Sequence, residues 1–216
     1  MIRAAIFDLD GTLADTMPAL REGMNAALRH YGCPERTVEE LYLCINYGSR
    51  EFVRRAFPED FPSDKIDEAL AYYKSCYARV WHITKELYPG IRNMLDNLKR
   101  NNIRIGVVTN KMNDITQLLI LQLFGEGYFD AVIGQGLYAT KPDPAAPLAM
   151  LAGFGVKPEE AAFIGDSHID IRTAKNVGCA PIGVAWGYRP EEVLIEEGAA
   201  AVAHTAEELE KILLSI

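Results

Sequence analysis

What most constrains this chain is a rhythm. Short apolar runs at residues 4–7, 103–109, 131–134, 161–165 and 181–185 alternate with amphipathic stretches, and each run ends near a polar residue or a glycine. Continuous apolar runs of this length suit strands covered on both faces, as in a parallel sheet. Between them, Ile91, Met94, Leu95 and Leu98 form one stripe of a helix over about residues 90–99, and a second helix over 114–124 stops at Gly125. Thr205, with Glu208 three residues on, has capping-box spacing and opens a last helix. Strand and helix in alternation predict an α/β fold built on a doubly wound, mainly parallel sheet.

Residues 15–84 break the rhythm. They contain no strand pattern but several helical ones: Leu20, Met24, Ala27, Leu28 and Tyr31, then a segment capped by Thr37 with Glu40, a third beginning near Ser49, and a fourth over 63–81. Pro58 and Pro62 punctuate the join. The expectation is an all-helical insert over 15–84 and a catalytic core formed by 1–14 and 85–216. A chain of 216 residues that is 49% hydrophobic and 24% charged can bury such a core without staples. Cys33, Cys44, Cys76 and Cys179 are scattered, which argues against a zinc site or a disulfide framework and fits a reducing cytoplasm. The apolar run before Asp8 is too short for a signal peptide or a membrane span, so a cytoplasmic protein without a membrane partner is expected. The formal charge of −8, with no basic stripe, argues against nucleic acid as a partner. An anionic substrate would need a cation and a few placed basic groups to reverse the local field. Monomer and homodimer fit the sequence equally.

The chemistry gathers at strand ends. The first strand closes in Asp8-Leu9-Asp10-Gly11-Thr12-Leu13, the second in Val108-Thr109-Asn110, and the fourth in Gly165-Asp166-Ser167-His168-Ile169-Asp170, while Lys141 precedes a Pro-Asp-Pro turn after the third. In an open α/β sheet, ligands bind beyond the carboxyl ends of the strands. A carboxylate there can attack phosphorus, and a second can act as general acid and then as base. An Asp-x-Asp alone reads equally as a solvated turn, and a lone lysine as a surface residue. Together, the four elements complete what phosphoryl transfer needs: an in-line nucleophile, a divalent cation and positive groups on the equatorial oxygens. Mg²⁺ prefers oxygen ligands, which Asp8 and Asp166 can supply with the Asp10 carbonyl as a further one.

In order and spacing, Asp8-Leu9-Asp10-Gly11-Thr12, Thr109-Asn110, Lys141, and Gly165-Asp166 with Asp170 resemble the four motifs of the haloacid-dehalogenase superfamily. The resemblance spans the chain and implies a Rossmann-like core, with the helical insert as its cap. Asp15-Thr16 and the Gly183-Val184-Ala185-Trp186-Gly187-Tyr188 stretch look like phosphoglycolate phosphatases and their close relatives. By this resemblance Asp8 is the nucleophile and Asp10 the acid/base. Thr109 and the Asn110 backbone hold the phosphoryl group, with Gly11 and Thr12 as further substrate-binding residues beside it, and Lys141 neutralises Asp8 and the phosphoryl. Asp166 binds Mg²⁺, and Asp170 supports the metal or the lysine. The implied activity is a phosphomonoesterase on a small anionic phosphorylated metabolite, phosphoglycolate first among them, through an aspartyl-phosphate. An inorganic pyrophosphatase and a β-phosphoglucomutase-like phosphomutase share the chemistry. A non-catalytic phospho-acceptor shares the acidic residues but not the helical insert.

Other residues invite two readings. His168 lies between two aspartates, but hard Mg²⁺ prefers oxygen, which favours a solvent-facing or hydrogen-bonding role. Tyr72, Tyr73, Tyr77 and Trp81 recur near helical spacing and read as a packing stripe. Trp186 and Tyr188 read as residues that shape the loop after the fifth strand. The turn at 43–50 resembles a specificity loop, in which Asn46 could contact substrate and Arg50 could meet a substrate carboxylate. Equally, Arg50 could begin a solvated helix face with Arg54.

Overall fold

The computed structural model describes residues 1–216. β1 (Ala4–Phe7) leads into four helices, α1 (Met17–His30), α2 (Val38–Cys44), α3 (Ser49–Ala56) and α4 (Ile66–Val80), with no strand among them. The chain then alternates through α5 (Ile91–Arg100), β2 (Arg104–Met112), α6 (Asn113–Phe124), β3 (Ala131–Gln135), α7 (Ala145–Phe154), β4 (Ala161–Gly165) and α8 (His168–Val177). It closes with β5 (Ala180–Val184), α9 (Glu191–Glu197), β6 (Ala201–Ala203) and α10 (Ala206–Ser215). All six strands pair in parallel, in the order β3-β2-β1-β4-β5-β6. The order reverses at β1, so a crevice opens beyond its carboxyl end, between the loops that follow β1, β2 and β4.

The centre of the sheet is buried on both faces because β1 and β4 carry only apolar residues and glycine. In β1, Ala5 and Phe7 join a cluster with Leu95 of α5 and Leu209 of α10, whereas Ala4 and Ile6 pack with Met150 of α7 and Ala174 of α8. Burying a side chain the size of Phe7 or Ile6 contributes about 1.5–3 kcal/mol.

Two strands depart from expectation by more than a residue at either end. β2 runs on to Met112 through the polar Asn110 and Lys111, which are buried by the site itself rather than by a hydrophobic layer. β6, an edge strand of only Ala-Val-Ala, has too small an apolar signature to stand out in the sequence.

The four helices after β1 form their own packed layer. Gly23 lets α1 lie close on α4, since a Cβ there would sit 3.1 Å from the Tyr77 Cα. Thr37 and Glu40 form the expected capping box on α2, worth about 1 kcal/mol. In α3 the buried residues are Phe52, Val53 and Ala56, which leaves Arg50 and Arg54 together on the outer side. The layer joins the sheet through two adjacent strands of backbone: Ala14 bridges Leu87, and the Tyr88 N–H donates to the Leu13 carbonyl at 3.1 Å. No helix is long and apolar enough to cross a membrane.

Candidate active site

β1 delivers Asp8 to the crevice, 3% exposed. One of its oxygens accepts from Lys141 Nζ at 2.9 Å and from the Leu9 N–H at 2.7 Å. Burial pushes the Asp8 carboxyl up to about 6, against the pull of Lys141, and the charges of Asp170 and Asp10 add to the rise. Lys141 reaches Asp170 as well, at 2.7 Å. Burial disfavours its ammonium, but Asp170 and Asp8 outweigh that and hold it above its ordinary range, so it stays charged. Asp170 is fixed in turn as the third residue of α8, where it accepts from both the N–H and the hydroxyl of Ser167.

β4 delivers Asp166, fully buried, which accepts from the Thr12 hydroxyl at 3.1 Å and from the Tyr188 N–H at 2.8 Å. Gly11, at φ +83°, passes so close that a Cβ would lie 2.4 Å from an Asp166 oxygen. Burial raises the Asp166 carboxyl well above the usual carboxylate range, reinforced by Asp170 and Asp8. Asp8, Asp166 and Asp170 each offer an oxygen within 4.8 Å of the others. Three buried carboxylates against one buried ammonium leave an excess of negative charge. That excess and the all-oxygen donor set fit a divalent cation of the hard kind.

Asp10 does not join this cluster through its side chain. Its carboxylate accepts from the Thr16 hydroxyl at 2.5 Å and from Lys111 Nζ at 2.9 Å. Lys111 is buried, and no sequence motif had singled it out. Strand parity could have found it, because it stands two residues beyond Thr109. Thr109 and Asn110 are buried within β2, short of its end at Met112. Asn110 is also a joint: its amide oxygen accepts from the Lys141 N–H at 2.7 Å, and its amide NH₂ donates to the carbonyls of Lys141 and Asn46.

Asp8, Asp10, Thr109, Asn110, Lys111 and Lys141 line one cavity whose opposite wall comes from the helical layer: Leu20, Ile45, Asn46, Phe52, Tyr73 and Tyr77. Three sequence expectations change here. Arg50 is not in the cavity: exposed on α3, it donates to Asp67 at 2.7 Å, so the solvated-face reading holds. Tyr73 and Tyr77 do pack on each other, but they also line the cavity, and Lys111 Nζ lies 4.8 Å from the centre of the Tyr77 ring. Tyr188 does more than shape a loop. Its hydroxyl accepts from the N–H groups of Thr16 and Met17 and donates to Asp15, while its own N–H holds Asp166. Trp186 donates to the Thr12 carbonyl at 3.0 Å.

His168 takes the hydrogen-bonding role, paired with the Tyr47 hydroxyl at 3.0 Å. Burial, with Arg189 and Arg172 nearby, lowers its pKa. Ser49 adds a second tie between the helical layer and the sheet edge, donating from its N–H and its hydroxyl to Gln135 at 3.2 and 2.8 Å.

Comparison with known proteins gives the site its context. The haloacid dehalogenase-like hydrolase model matches residues 5–184. Phosphoglycolate phosphatase 1 of Pseudomonas aeruginosa is 35% identical over 96% of this chain and 78% of its own length. Phosphoglycolate phosphatase of Nitrosospira multiformis is 30% identical over 98% of this chain and 96% of its own. A crystal structure from Lactobacillus delbrueckii subsp. bulgaricus, of a protein ascribed that same activity, superposes with a TM-score of 0.92 at 32% identity and 98% coverage of both chains. With the match running from the first strand to the fifth, the chain belongs to the haloacid dehalogenase-like hydrolases.

Proposed function

We propose that this enzyme is a cytoplasmic, Mg²⁺-dependent phosphatase that hydrolyses a small anionic phosphomonoester, with 2-phosphoglycolate the first substrate to test. The observation that carries the reading is the buried Asp8–Lys141–Asp170 chain at the crevice, with Asp10 two residues beyond the nucleophile. The names of the two curated relatives support the choice of substrate.

Asp8 attacks phosphorus through a carboxylate oxygen, and the bond from phosphorus to the ester oxygen breaks. Asp10 gives its proton to that oxygen, so the alcohol leaves neutral. Asp10 then takes a proton from a water as its oxygen attacks the aspartyl-phosphate, and phosphate departs with Asp8 restored. Lys141 opposes the negative charge on the transferring group throughout, while Thr109 and the Asn110 backbone hold its oxygens. Asp8 and Asp166 would hold Mg²⁺, with the Asp10 carbonyl as a further oxygen and Asp170 steadying Lys141. The cation, when bound, supplies charge neutralisation at the phosphoryl oxygens. Residues 15–84 act as a cap over a core of 1–14 and 85–216, excluding bulk water from the reaction. Either a monomer or a homodimer would serve, since one chain holds every group named.

The test is phosphate release across a metabolite panel, with and without Mg²⁺, in wild type and Asp8→Asn. Release from 2-phosphoglycolate should exceed release from pyrophosphate, and Asp8→Asn should cut it by at least about 10⁴-fold, as removal of a nucleophile does. Faster pyrophosphate cleavage would make the enzyme a pyrophosphatase, and sugar phosphate isomerisation outrunning hydrolysis would make it a mutase. Turnover surviving in Asp8→Asn would remove Asp8 from the mechanism.

A further inference from the structure

The phosphoryl half of the site accounts for Asp8, Lys141, Asp166 and Asp170, yet leaves three donors of the cavity without a task, one on β2 and two on the helical wall. Lys111 is the first: its side chain is 2% exposed and its one carboxylate partner is Asp10, an oxygen it shares with the Thr16 hydroxyl. An ammonium carries three donors, and here one is used on that carboxylate while the group lies over the Tyr77 ring. The second is the Tyr77 hydroxyl, buried with no hydrogen-bond partner on a residue only 1% exposed. The third is the side-chain amide nitrogen of Asn46, likewise buried and unpartnered. Asn46 is also held at φ +88°, a left-handed conformation uncommon outside glycine, and its carbonyl is pinned by Asn110.

Buried polar groups without partners are rare and call for a reason. Two of the four such atoms in this protein line one cavity together with a buried lysine. All three groups can donate, and no carboxylate of the helical layer faces them across that cavity. A ligand that satisfies them must accept several hydrogen bonds at once and bring negative charge.

We propose that Lys111, Tyr77 and Asn46 form a subsite for a second anionic group, carried on the leaving half of the substrate. This rests on the phosphatase reading above and extends it to what the enzyme selects. The anion must lie near the ester oxygen, because Lys111 contacts Asp10, the group assigned to protonate that oxygen. A carboxylate one or two carbons away satisfies this, and so does a second phosphoryl group. The specificity role that the sequence offered to Arg50 therefore passes to Lys111.

The experiment is calorimetric binding in an Asp8→Asn background, which reads the subsite without turnover. The ligands are 2-phosphoglycolate, pyrophosphate and ethyl phosphate, the last keeping two carbons but no second anion. Asp8→Asn protein should bind 2-phosphoglycolate at least tenfold more tightly than ethyl phosphate. Adding Lys111→Met should weaken 2-phosphoglycolate by about 10–100-fold, the range for a hydrogen bond to a charged group, and should take most of the preference with it. Adding Tyr77→Phe, which keeps the ring, should cost about 3–10-fold in the same selective way. Circular dichroism checks the fold, and Tyr77→Phe keeps the test open should Lys111→Met unfold. Tighter binding of pyrophosphate with the same dependence on Lys111 supports the subsite and assigns it to a phosphoryl anion. Equal affinity for 2-phosphoglycolate and ethyl phosphate, or equal losses for both in each variant, overturns the proposal. Separately, a wild type that releases phosphate from no monoester would end the phosphatase reading, while the binding contrast would still decide the subsite.

Discussion

The two walls of the active-site cavity differ in how their polar groups are employed. At the sheet edge, Lys141 is shared by Asp8 and Asp170, Asp170 by Ser167, and Asp166 by Thr12 and Tyr188. On the helical side, Asn46 and Tyr77 present buried donors with nothing to receive them. Groups that hold one another in place are fixed before any substrate arrives, and preorganisation of that kind serves one chemical step whatever the rest of the molecule. Groups left unpaired depend on the ligand to complete them, and a ligand that cannot do so is rejected. The contrast separates a wall built for reaction from one built for choice.

The largest way to break this division is Asp10→Asn. As the acid/base, Asp10 should be worth about 10²–10⁴-fold in turnover. Initial rates should show a greater loss for ethyl phosphate than for p-nitrophenyl phosphate, whose leaving group needs little protonation. Equal losses would move Asp10 from the reacting wall to a supporting role.

The next effect concerns the charge packed into the sheet edge. In the folded protein Asp8 keeps its proton up to about 6, against an ordinary value of 3.8. Below the lower value both folded and unfolded chains are protonated and nothing is lost. As pH rises between the two, the unfolded chain releases its proton first, so the folded state weakens through that window. Urea unfolding of metal-free protein should therefore find Asp8→Asn gaining on wild type as pH rises from about 4 to about 7. Mg²⁺ should narrow the gap at the higher pH. A gap that ignores both pH and Mg²⁺ would mean the acidic cluster is not the strained element described.

Smaller changes test how the walls are held together. Tyr47→Phe removes the hydroxyl that meets His168, a single hydrogen bond worth about 0.5–1.5 kcal/mol. kcat/KM should fall about 2–10-fold by the same factor for every substrate, because the tie positions the whole helical layer and touches no ligand. A loss confined to one substrate would place Tyr47 in the selecting wall. Arg50→Ala should do least. Its ion pair with Asp67 is more than half exposed on both sides, where solvent screening leaves such a pair little to contribute. Substrate preference in Arg50→Ala should match wild type, and a selective loss on 2-phosphoglycolate would return Arg50 to the site.

Much of the reacting wall is legible in the sequence because parallel strands advertise themselves twice: as apolar runs, and as polar residues where the runs stop. β1 and β4 have the bounds read from the chain, and Asp8, Asp166 and Asp170 meet as expected. Lys111 escaped because its run does not stop at Thr109. The strand continues, and a lysine inside it gives no sign that another strand's carboxylate is waiting. The selecting wall is harder to read for a different reason. Helical periodicity tells which residues are buried but not against what, so a stripe that packs and a stripe that lines a cavity look alike, as Tyr73 and Tyr77 do. Arg50 could have been placed by phase alone, since Phe52, Val53 and Ala56 define the inner side of α3. The Tyr188 contacts with Thr16 and Met17 join residues far apart in the chain and leave no local trace.

One feature of the connections reaches beyond this enzyme. Ala14 and Leu87 lie side by side, so everything between them leaves the sheet and returns at one spot. A segment whose ends already touch is a cassette. Its loss or replacement asks only that the new piece begin and end a few ångströms apart, and the sheet need not move. A lineage with such a joint can trade one selecting wall for another while the reacting wall is inherited intact, and grafting a foreign helical segment between these two residues is a natural route to a new specificity.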